Sequence, residues 1–551
     1  MSFSSLLHNI ADAEQGPKTC AVFDFDGTII SGYSATAFLK DQIARGEISP
    51  ADLVQLTQAT TRFGIGSLGF SALMAVHAQY LAGRSETDYI ANSERLFRRA
   101  IAKLIYPEAR QLIEAHRTAG HSIAIISSAT PYQVLPAAKD LDIEHVYATD
   151  LEVEDGQFTG GVVQPTCFGI GKVHAAERFL AQQGGDLENC FFYSDSIDDI
   201  ELLDTAGRPV VLNGSRELKR TAREAGWPMA DFSSRGNATG SQVVRSLAAT
   251  GSLVGSFMMG LPLYALSGSR RDSLNFSISL FAETASALIG LDLDVRGREH
   301  LWKQRPAIFM FNHQSNADML IMASLIRRDI VGVGKRELKN LPLVGPLMGA
   351  AGVVFIDRSD RRAAIETMKP LVKAMQEEKK SLVIAPEGTR APTRKLGAFK
   401  KGGFHVAIQS GVPIVPVVIH NSGDISPKGD KIFRSGTVHI DILPAIQTTN
   451  WSVVNIDDHV AEVRNAFLRT LGQPELSAEE TANARRDTPD DMKPEVRGRR
   501  SKPRLKKAAI EPSEQDSVPS ARRGKRGVSR NGARSAGSKN GFDPEAPATR
   551  H

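Results

Sequence analysis

Apolar residues gather along this chain in short runs separated by longer stretches of helical period. The first run, TCAVFDFDGTII at 19–30, is broken by two aspartates and closed by Gly-Thr, the pattern of a buried strand ending in a turn. Similar runs occur at 121–128 (HSIAIISS), at 190–195 (CFFYSD) and at 209–212 ahead of Asn-Gly. Residues 33–117 carry helical period and no strand signal. Buried strands alternating with helices predict a parallel α/β sheet, and the helical stretch after the first strand reads as a cap.

Residues 231–240 shift to Ser, Gly and Asn, which marks a linker. Residues 251–269 then carry no charge and are flanked by Arg245 and Arg270-Arg271, and a second apolar stretch at 274–290 carries Glu283. The uncharged run is barely long enough to span a bilayer, and its glycines, serines and proline weaken that reading. A helical hairpin lying in the membrane interface is preferred; a spanning hairpin and a buried core hairpin are the alternatives. A second α/β pattern opens at 307 (AIFMFNH), continues through 330–333, 352–356, 382–384 and 414–418, and ends near 443. The chain thus divides into an N-terminal extension (1–17), a first α/β domain (18–235), a linker and hairpin (236–290), a second α/β domain (291–475) and a tail (476–551).

Charge changes the picture only at the end of the chain. The net charge is +5, but residues 485–550 hold 18 Lys/Arg against 9 Asp/Glu, so the folded body is acidic. The tail is rich in Arg, Lys, Ser, Pro and Gly without apolar period, and is expected to be disordered. Phe542 is its one aromatic residue, so base stacking has no support and nucleic acid is not an expected partner. An anionic membrane surface suits the tail better. Cys20, Cys167 and Cys190 form no C-x-x-C pair, which excludes a disulfide framework and a cysteine zinc site. Residues 1–18 lack a secretory signal, so the chemistry is expected at the cytoplasmic face of the cell membrane.

Asp24 and Asp26 stand two apart at the end of the first strand, on one face by period-two alternation. Two carboxylates converging there can hold Mg²⁺, and one can attack phosphorus; an Asp-rich structural turn is the plainer alternative. Ser127 ends the next strand, where a hydroxyl can bind a phosphoryl oxygen. Lys172 precedes a helix and can neutralise a transferring group, and Asp195 and Asp199 add carboxylates suited to a metal. Each alone has an ordinary role: strand cap, surface lysine, helix start. Together they fall at the carboxyl ends of strands, where open parallel sheets bind ligands.

This set resembles the haloacid dehalogenase-like phosphatases with a helical cap after the first motif, a group that includes phosphoserine phosphatases. The resemblance covers about 18–230 and implies a Rossmann-like domain. It makes Asp24 the nucleophile and Asp26 the general acid/base, with Ser127 and Lys172 on the phosphoryl group. The Mg²⁺ site implied takes Asp24, Asp26, Asp195 and Asp199. Ser194 stands where the family more often has Gly.

Asn312-His313-Gln314-Ser315-Asn316-Ala317-Asp318 closes a strand and opens a helix. On one helix His313 and Asp318 would lie about 140° apart, so they meet only if His313 sits in the loop and Asp318 in the first helical turn. Asp318 can then fix the imidazole tautomer and leave His313 as a base; a capping pair is the alternative. Gly352 to Arg358 ends a strand in an arginine, Pro386-Glu387-Gly388-Thr389-Arg390 supplies another, and Val412-Pro413-Ile414 enters a later strand.

These four blocks, over about 292–450, resemble the glycerolipid acyltransferases, nearest the 1-acyl-sn-glycerol-3-phosphate acyltransferases. The resemblance makes His313 the base and Asp318 its partner, with Arg358, Glu387, Gly388, Thr389 and Arg390 recognising the acceptor phosphate. Lys335 and Lys400 add positive charge at most. Ala391 stands where serine is common, and Asn316-Ala317 replaces bulkier residues. The implied reaction joins lysophosphatidic acid to an acyl thioester, acyl-CoA or acyl-carrier protein, giving phosphatidic acid. The fused first domain implies a Mg²⁺-dependent phosphomonoesterase; the rival reading makes it an idle regulatory or scaffold module.

Overall fold

The computed structural model describes residues 2–48, 50–64, 69–342, 344–356 and 368–486. Residues 20–230 supply eight strands: β1 (Cys20–Phe23), β2 (Ser122–Ile126), β3 (His145–Tyr147), β4 (Leu151–Glu154), β5 (Gln157–Val162), β6 (Cys190–Ser194), β7 (Arg208–Leu212) and β8 (Met229–Ala230). Six of them form a sheet in the order β3-β2-β1-β6-β7-β8, every pairing parallel. The central strands β1 and β6 are buried along their whole length, as a parallel sheet covered on both faces requires. Their phenylalanines contribute about 2 kcal/mol each through burial.

The antiparallel hairpin β4–β5 and the short strand β3 were not legible in the sequence: LEVE and HVY are too short and too polar to stand out. The cap is helical as expected, with helices Ser34–Ala44, Pro50–Gly64, Phe70–Gln79 and Glu86–Leu96. The chain returns to the sheet layer at Ile105, which bridges to Ile30. The following helix, Pro107–Thr118, packs on β2 and on the helix Phe3–Ala11, so the cap closes earlier than residue 117. Phe3–Ala11 buries Leu6 and Ile10 in the same core; the first residues belong to this layer rather than to an extension.

The next two helices, Gly240–Ser267 and Arg270–Ile289, form the hairpin. A capping box of Thr239 and Gln242 starts the first, and Gly268 at φ +67° ends it. A Cβ on Gly260 would lie 2.1 Å from Ser277 Oγ, and Ser273 Oγ donates to the Gly260 carbonyl at 2.7 Å. Small residues therefore bring the two helices together. Leu247, Met258, Met259, Leu261 and Leu266 are exposed, the last at 88%. Gly240–Ser267 is long and apolar enough to cross a membrane by length and composition.

The second sheet contains β9 (Leu291–Arg296), β10 (Ile308–Phe311), β11 (Ile330–Lys335), β12 (Val354–Ile356), β13 (Ser381–Ile384), β14 (Ile414–Ile419) and β15 (Gly436–Ile442), in the order β12-β11-β13-β10-β14-β15-β9. Only β14 and β15 pair antiparallel. β9 escaped the sequence reading because LDLDVR alternates as a half-exposed edge. The tail does not begin at 476: a helix Ala478–Arg486 follows, with Thr481 buried. The rest of the expected tail, 487–551, lies outside the described residues, as does Arg358.

Candidate active sites

The first site forms at the carboxyl edge of the first sheet. Asp24 follows β1, Ser127 follows β2 and Asp195 follows β6, so parallel register brings three distant segments together. Gly27 turns the chain at φ +78°, and a Cβ there would lie 2.0 Å from Asp195 Oδ2. Glycine is therefore demanded twice, by backbone and by space. Asn213, at the end of β7, donates to the Gly27 carbonyl at 2.9 Å and accepts the Phe232 N–H at 2.7 Å.

Lys172, in the first turn of the helix Ile170–Gln183, is the buried centre of this cluster. Its Nζ lies 3.0 Å from Asp24 Oδ1 and 2.7 Å from Asp199 Oδ1. Burial works against its charge, but Asp199 and Asp24 outweigh burial and hold its pKa above the ordinary lysine value. Asp199 also accepts the Ser194 hydroxyl at 2.6 Å, which gives Ser194 a bond that a glycine could not make. Burial pushes the Asp24 carboxyl up to about 6, with Lys172 opposing. Burial, then Asp24 and Asp199, push Asp195 up to about 8.

Asp26 is committed differently from the expected metal set. Its two oxygens accept the Ser34 N–H at 2.7 Å and the Ser34 hydroxyl at 3.0 Å, and Gln133 donates to Ser34 Oγ at 3.1 Å. Burial raises its pKa to about 7. Ser34 and Gln133 carried no signal in the sequence. Among the described residues no three His, Cys, Asp or Glu side chains stand as a ready ligand set: Asp199 is turned to Lys172 and Ser194, and Asp26 to Ser34. The donor chemistry nonetheless fits a hard divalent cation at Asp24 and Asp195. Among the described residues the Asp195 carboxylate accepts one hydrogen bond, from Thr28 at 3.3 Å, and the repulsion between buried carboxylates is what such a cation offsets. Ser127 is buried, its hydroxyl accepting the Ala129 N–H at 3.2 Å.

The second site lies where β10 runs into the helix Asp318–Ile326. Asn312 locks the end of β10 to β14, donating to the Ile419 carbonyl and accepting its N–H, both at 2.7 Å. His313 sits in the loop and Asp318 in the first turn, the arrangement their spacing requires. His313 Nδ1 is 2.6 Å from Asp318 Oδ2, and the same oxygen accepts the N–H groups of Gln314 and Ser315 at 2.8 Å each. With Nδ1–H donating to this buried carboxylate, the lone pair of the ring falls to Nε2. His313 keeps 20% side-chain exposure while Asp318 has none, so the imidazole is reachable and the carboxylate behind it is not.

Glu387 departs from the role of a phosphate contact. Its carboxylate is buried, Oε1 accepting the His313 N–H at 2.7 Å and Oε2 the Gly397 N–H at 3.0 Å. Burial pushes its pKa up to about 7. Gly388 turns at φ +72°, with Lys400 passing about 3.0 Å from where a Cβ would stand. Thr389 is exposed, and Arg390 donates to Asn316 Oδ1. Asn316 in turn donates to the Asp430 carbonyl at 2.7 Å, and Ser315 to the Ser426 carbonyl at 2.8 Å. The 422–430 segment thus props the His313 loop, a role with no local motif to announce it. Lys335 pairs with Glu337 at 3.3 Å on the surface.

An apolar cavity of about 120 Å³ opens beside this site. Leu253 and Phe257 of the hairpin, Met319 next to Asp318, and Ile330 line it.

Comparison with known proteins finds a family match for each of the two domains. The haloacid dehalogenase-like hydrolase family matches residues 21–204, and the acyltransferase family matches residues 292–420. A 1-acyl-sn-glycerol-3-phosphate acyltransferase of Limnanthes alba is 38% identical over 184 residues, 33% of this chain and 65% of that one. The chain therefore spans slightly less than two thirds of that relative. The human 1-acyl-sn-glycerol-3-phosphate acyltransferase beta is 35% identical over 194 residues, covering 35% of this chain and 70% of its own. The "Probable phosphatase" of Mycobacterium tuberculosis is 32% identical over 219 residues, 39% of this chain and 76% of its own. The chain belongs to the haloacid dehalogenase-like hydrolases through its first domain and to the acyltransferase family through its second.

Proposed function

We propose that the second domain (291–475) acylates the sn-2 hydroxyl of lysophosphatidic acid from an acyl thioester, and that the first (18–235) hydrolyses a phosphomonoester through an aspartyl-phosphate. The observation that carries the first half is the His313–Asp318 pair. Nε2 of His313 takes the proton of the acceptor hydroxyl as its oxygen attacks the thioester carbonyl, and the C–S bond then breaks to release the thiol. Asp318 holds the tautomer and offsets the imidazolium charge that forms. Arg390 binds the acceptor phosphate with the backbone at Gly388 and Thr389 beside it, and Arg358, outside the described residues, is the second arginine expected on that phosphate. Glu387 positions the His313 main chain. The apolar cavity suits an acyl chain entering from the hairpin.

In the phosphatase half an oxygen of Asp24 attacks phosphorus and the bond to the leaving oxygen breaks. Asp26 supplies the leaving group's proton and then takes one from the water that cleaves the mixed anhydride. Lys172 and Ser127 hold the phosphoryl oxygens. Mg²⁺ at Asp24 and Asp195, with Asp199 behind them, supplies positive charge for the transferring group when bound. Intact Asp24, Asp26, Lys172 and Asp195 favour this reading over an idle scaffold.

The exposed Leu247, Met258, Met259, Leu261 and Leu266 support a hairpin (within 236–290) that rests on the cytoplasmic face of a membrane. Acyl-CoA and acyl-carrier protein both fit as donors. The test of the whole reading is an assay of the full-length protein in mixed micelles. Lysophosphatidate with an acyl thioester should yield phosphatidate without added metal, and a phosphomonoester panel should be hydrolysed only with Mg²⁺. Failure of both reactions contradicts it.

A further inference from the structure

We propose that a cleft between the two domains binds a phosphate-bearing anion, at a site separate from either reaction centre. The cleft measures about 30 Å³ and is walled by Lys103, Arg110 and Arg235 from the first half of the chain and by Gln314, Arg394 and Asp424 from the second. Four cations thus line the cleft with one carboxylate, Asp424, while Asp140 and Glu108 stand behind its first wall. Arg110 is turned to Asp140. Arg235 and Arg394 share Asp424, at 3.7 and 2.7 Å. Lys103 forms no ion pair among the described residues, and its Nζ reaches across to within 3.9 Å of where a Gly429 Cβ would stand.

Arg235 makes the stronger case. Its side chain is 6% exposed. One edge of the guanidinium is satisfied, Nη1 donating to the Ser234 carbonyl at 2.8 Å and the Asp424 carbonyl at 3.1 Å, and Nη2 to the Gly423 carbonyl at 3.2 Å. Its Nε is buried with no hydrogen-bond partner in the protein. A buried charged donor left unpaired is costly, and an acceptor in the cleft removes that cost. On this measure one water needs about 10–15 Å³, so the cleft takes a small tetrahedral ion or a headgroup and excludes a nucleotide. An anion there also removes the repulsion among the cations.

The location connects the two reactions. Gln314 follows His313, and Arg394 lies in the turn that begins after Arg390. On the opposite wall the cap-return segment containing Lys103 is bonded to the Asp24 loop, through the Ile30–Ile105 bridge and the Ser31 N–H to the Leu104 carbonyl at 2.9 Å. An occupant therefore touches the His313 loop at Gln314 and reaches the Asp24 loop only through the cap-return segment. The shared ligand chemistry is a phosphate dianion, either free orthophosphate or the phosphomonoester end of a glycerolipid.

Calorimetric titration of the full-length protein tests this, using orthophosphate and sn-glycerol 3-phosphate as the probes. Half-buried Lys103 is the safer residue to change, and Ser127→Ala controls for anion bound in the phosphatase centre. Lys103→Ala should weaken binding about tenfold, the loss of one charge-assisted contact, while Ser127→Ala leaves this binding intact. Tighter binding of glycerol 3-phosphate assigns the cleft to a lipid headgroup; equal or tighter binding of orthophosphate assigns it to the free ion. No binding in the wild type, or unchanged affinity in Lys103→Ala whatever Ser127→Ala does, overturns the proposal.

Discussion

Glu387 grips His313 by its main chain: the His313 N–H donates to Glu387 Oε1 at 2.7 Å while the imidazole turns the other way, to Asp318. A carboxylate and a histidine 74 residues apart in sequence are thus joined through one hydrogen bond, and both oxygens of the acidic residue in the Pro386–Arg390 block are taken up by backbone N–H groups. Glu387→Gln leaves one of two backbone N–H groups facing an amide NH₂. The variant should lower kcat well over tenfold, the effect of a misplaced base, with acceptor KM little changed. A KM effect alone would return Glu387 to the phosphate site.

The same residue makes a pH prediction. Its carboxyl, ordinarily near 4.5, is held up to about 7 by burial. A raised pKa means that its stability contribution is full below about pH 4.5 and is lost as pH rises through about 7, on the order of 3 kcal/mol. Denaturation of the wild type and Glu387→Gln at pH 5 and pH 8 isolates that slope. The wild type should lose stability relative to the variant on going to pH 8; parallel curves would show that Glu387 does not titrate in this interval.

Arg390 reaches Asn316 Oδ1 across the mouth of the second site. Arg390→Ala should raise acceptor KM by about tenfold to a hundredfold through loss of charge-assisted bonds, with a smaller change in kcat. Steady-state kinetics in micelles reads both, and an unchanged KM removes Arg390 from the acceptor site.

What the sequence disclosed and what it hid divide along physical lines. Asp24, Lys172, Asp195, His313 and Asp318 were legible as candidates because they stand at strand ends or in the first turn of a helix, and strands of this sheet class are continuous apolar runs. Ser34, Gln133, Asn213 and Ser426 were not, because each acts through hydrogen bonds to other segments that no local motif announces. The edge strand β9 and the hairpin β4–β5 stayed hidden for want of continuous apolar runs. Glu387 was placed by resemblance near the phosphate, and only three-dimensional register shows its carboxylate buried against the His313 loop. The helix Ala478–Arg486 was absorbed into the tail because its composition is polar throughout, while Thr481 shows it docked.

Gly27 is fixed by both φ +78° and the Asp195 carboxylate. Gly27→Ala should cost about 1–3 kcal/mol and abolish phosphomonoesterase activity while acyl transfer persists. Thermal unfolding with both assays checks this. Full phosphatase activity in the variant would contradict the site's geometry.

The exposed apolar side chains of Gly240–Ser267 carry the proposed membrane contact. Changing Met258, Met259 and Leu261 together to Gln removes buried apolar area at the interface and should weaken vesicle binding about tenfold or more. Truncation after Arg486 should weaken binding at low salt alone, since a basic segment acts through screened charge. Cosedimentation with anionic vesicles at two salt concentrations reads both effects. Unchanged binding of the triple variant would place the anchor elsewhere.

The central claim, two separate reaction centres in one chain, is tested most directly by assaying full-length His313→Ala and Asp24→Asn side by side for phosphatidate formation and phosphomonoester hydrolysis. The account predicts that His313→Ala loses acyl transfer and keeps Mg²⁺-dependent hydrolysis, and that Asp24→Asn does the reverse. Wild-type phosphatidate formation by His313→Ala, or wild-type hydrolysis by Asp24→Asn, would contradict it.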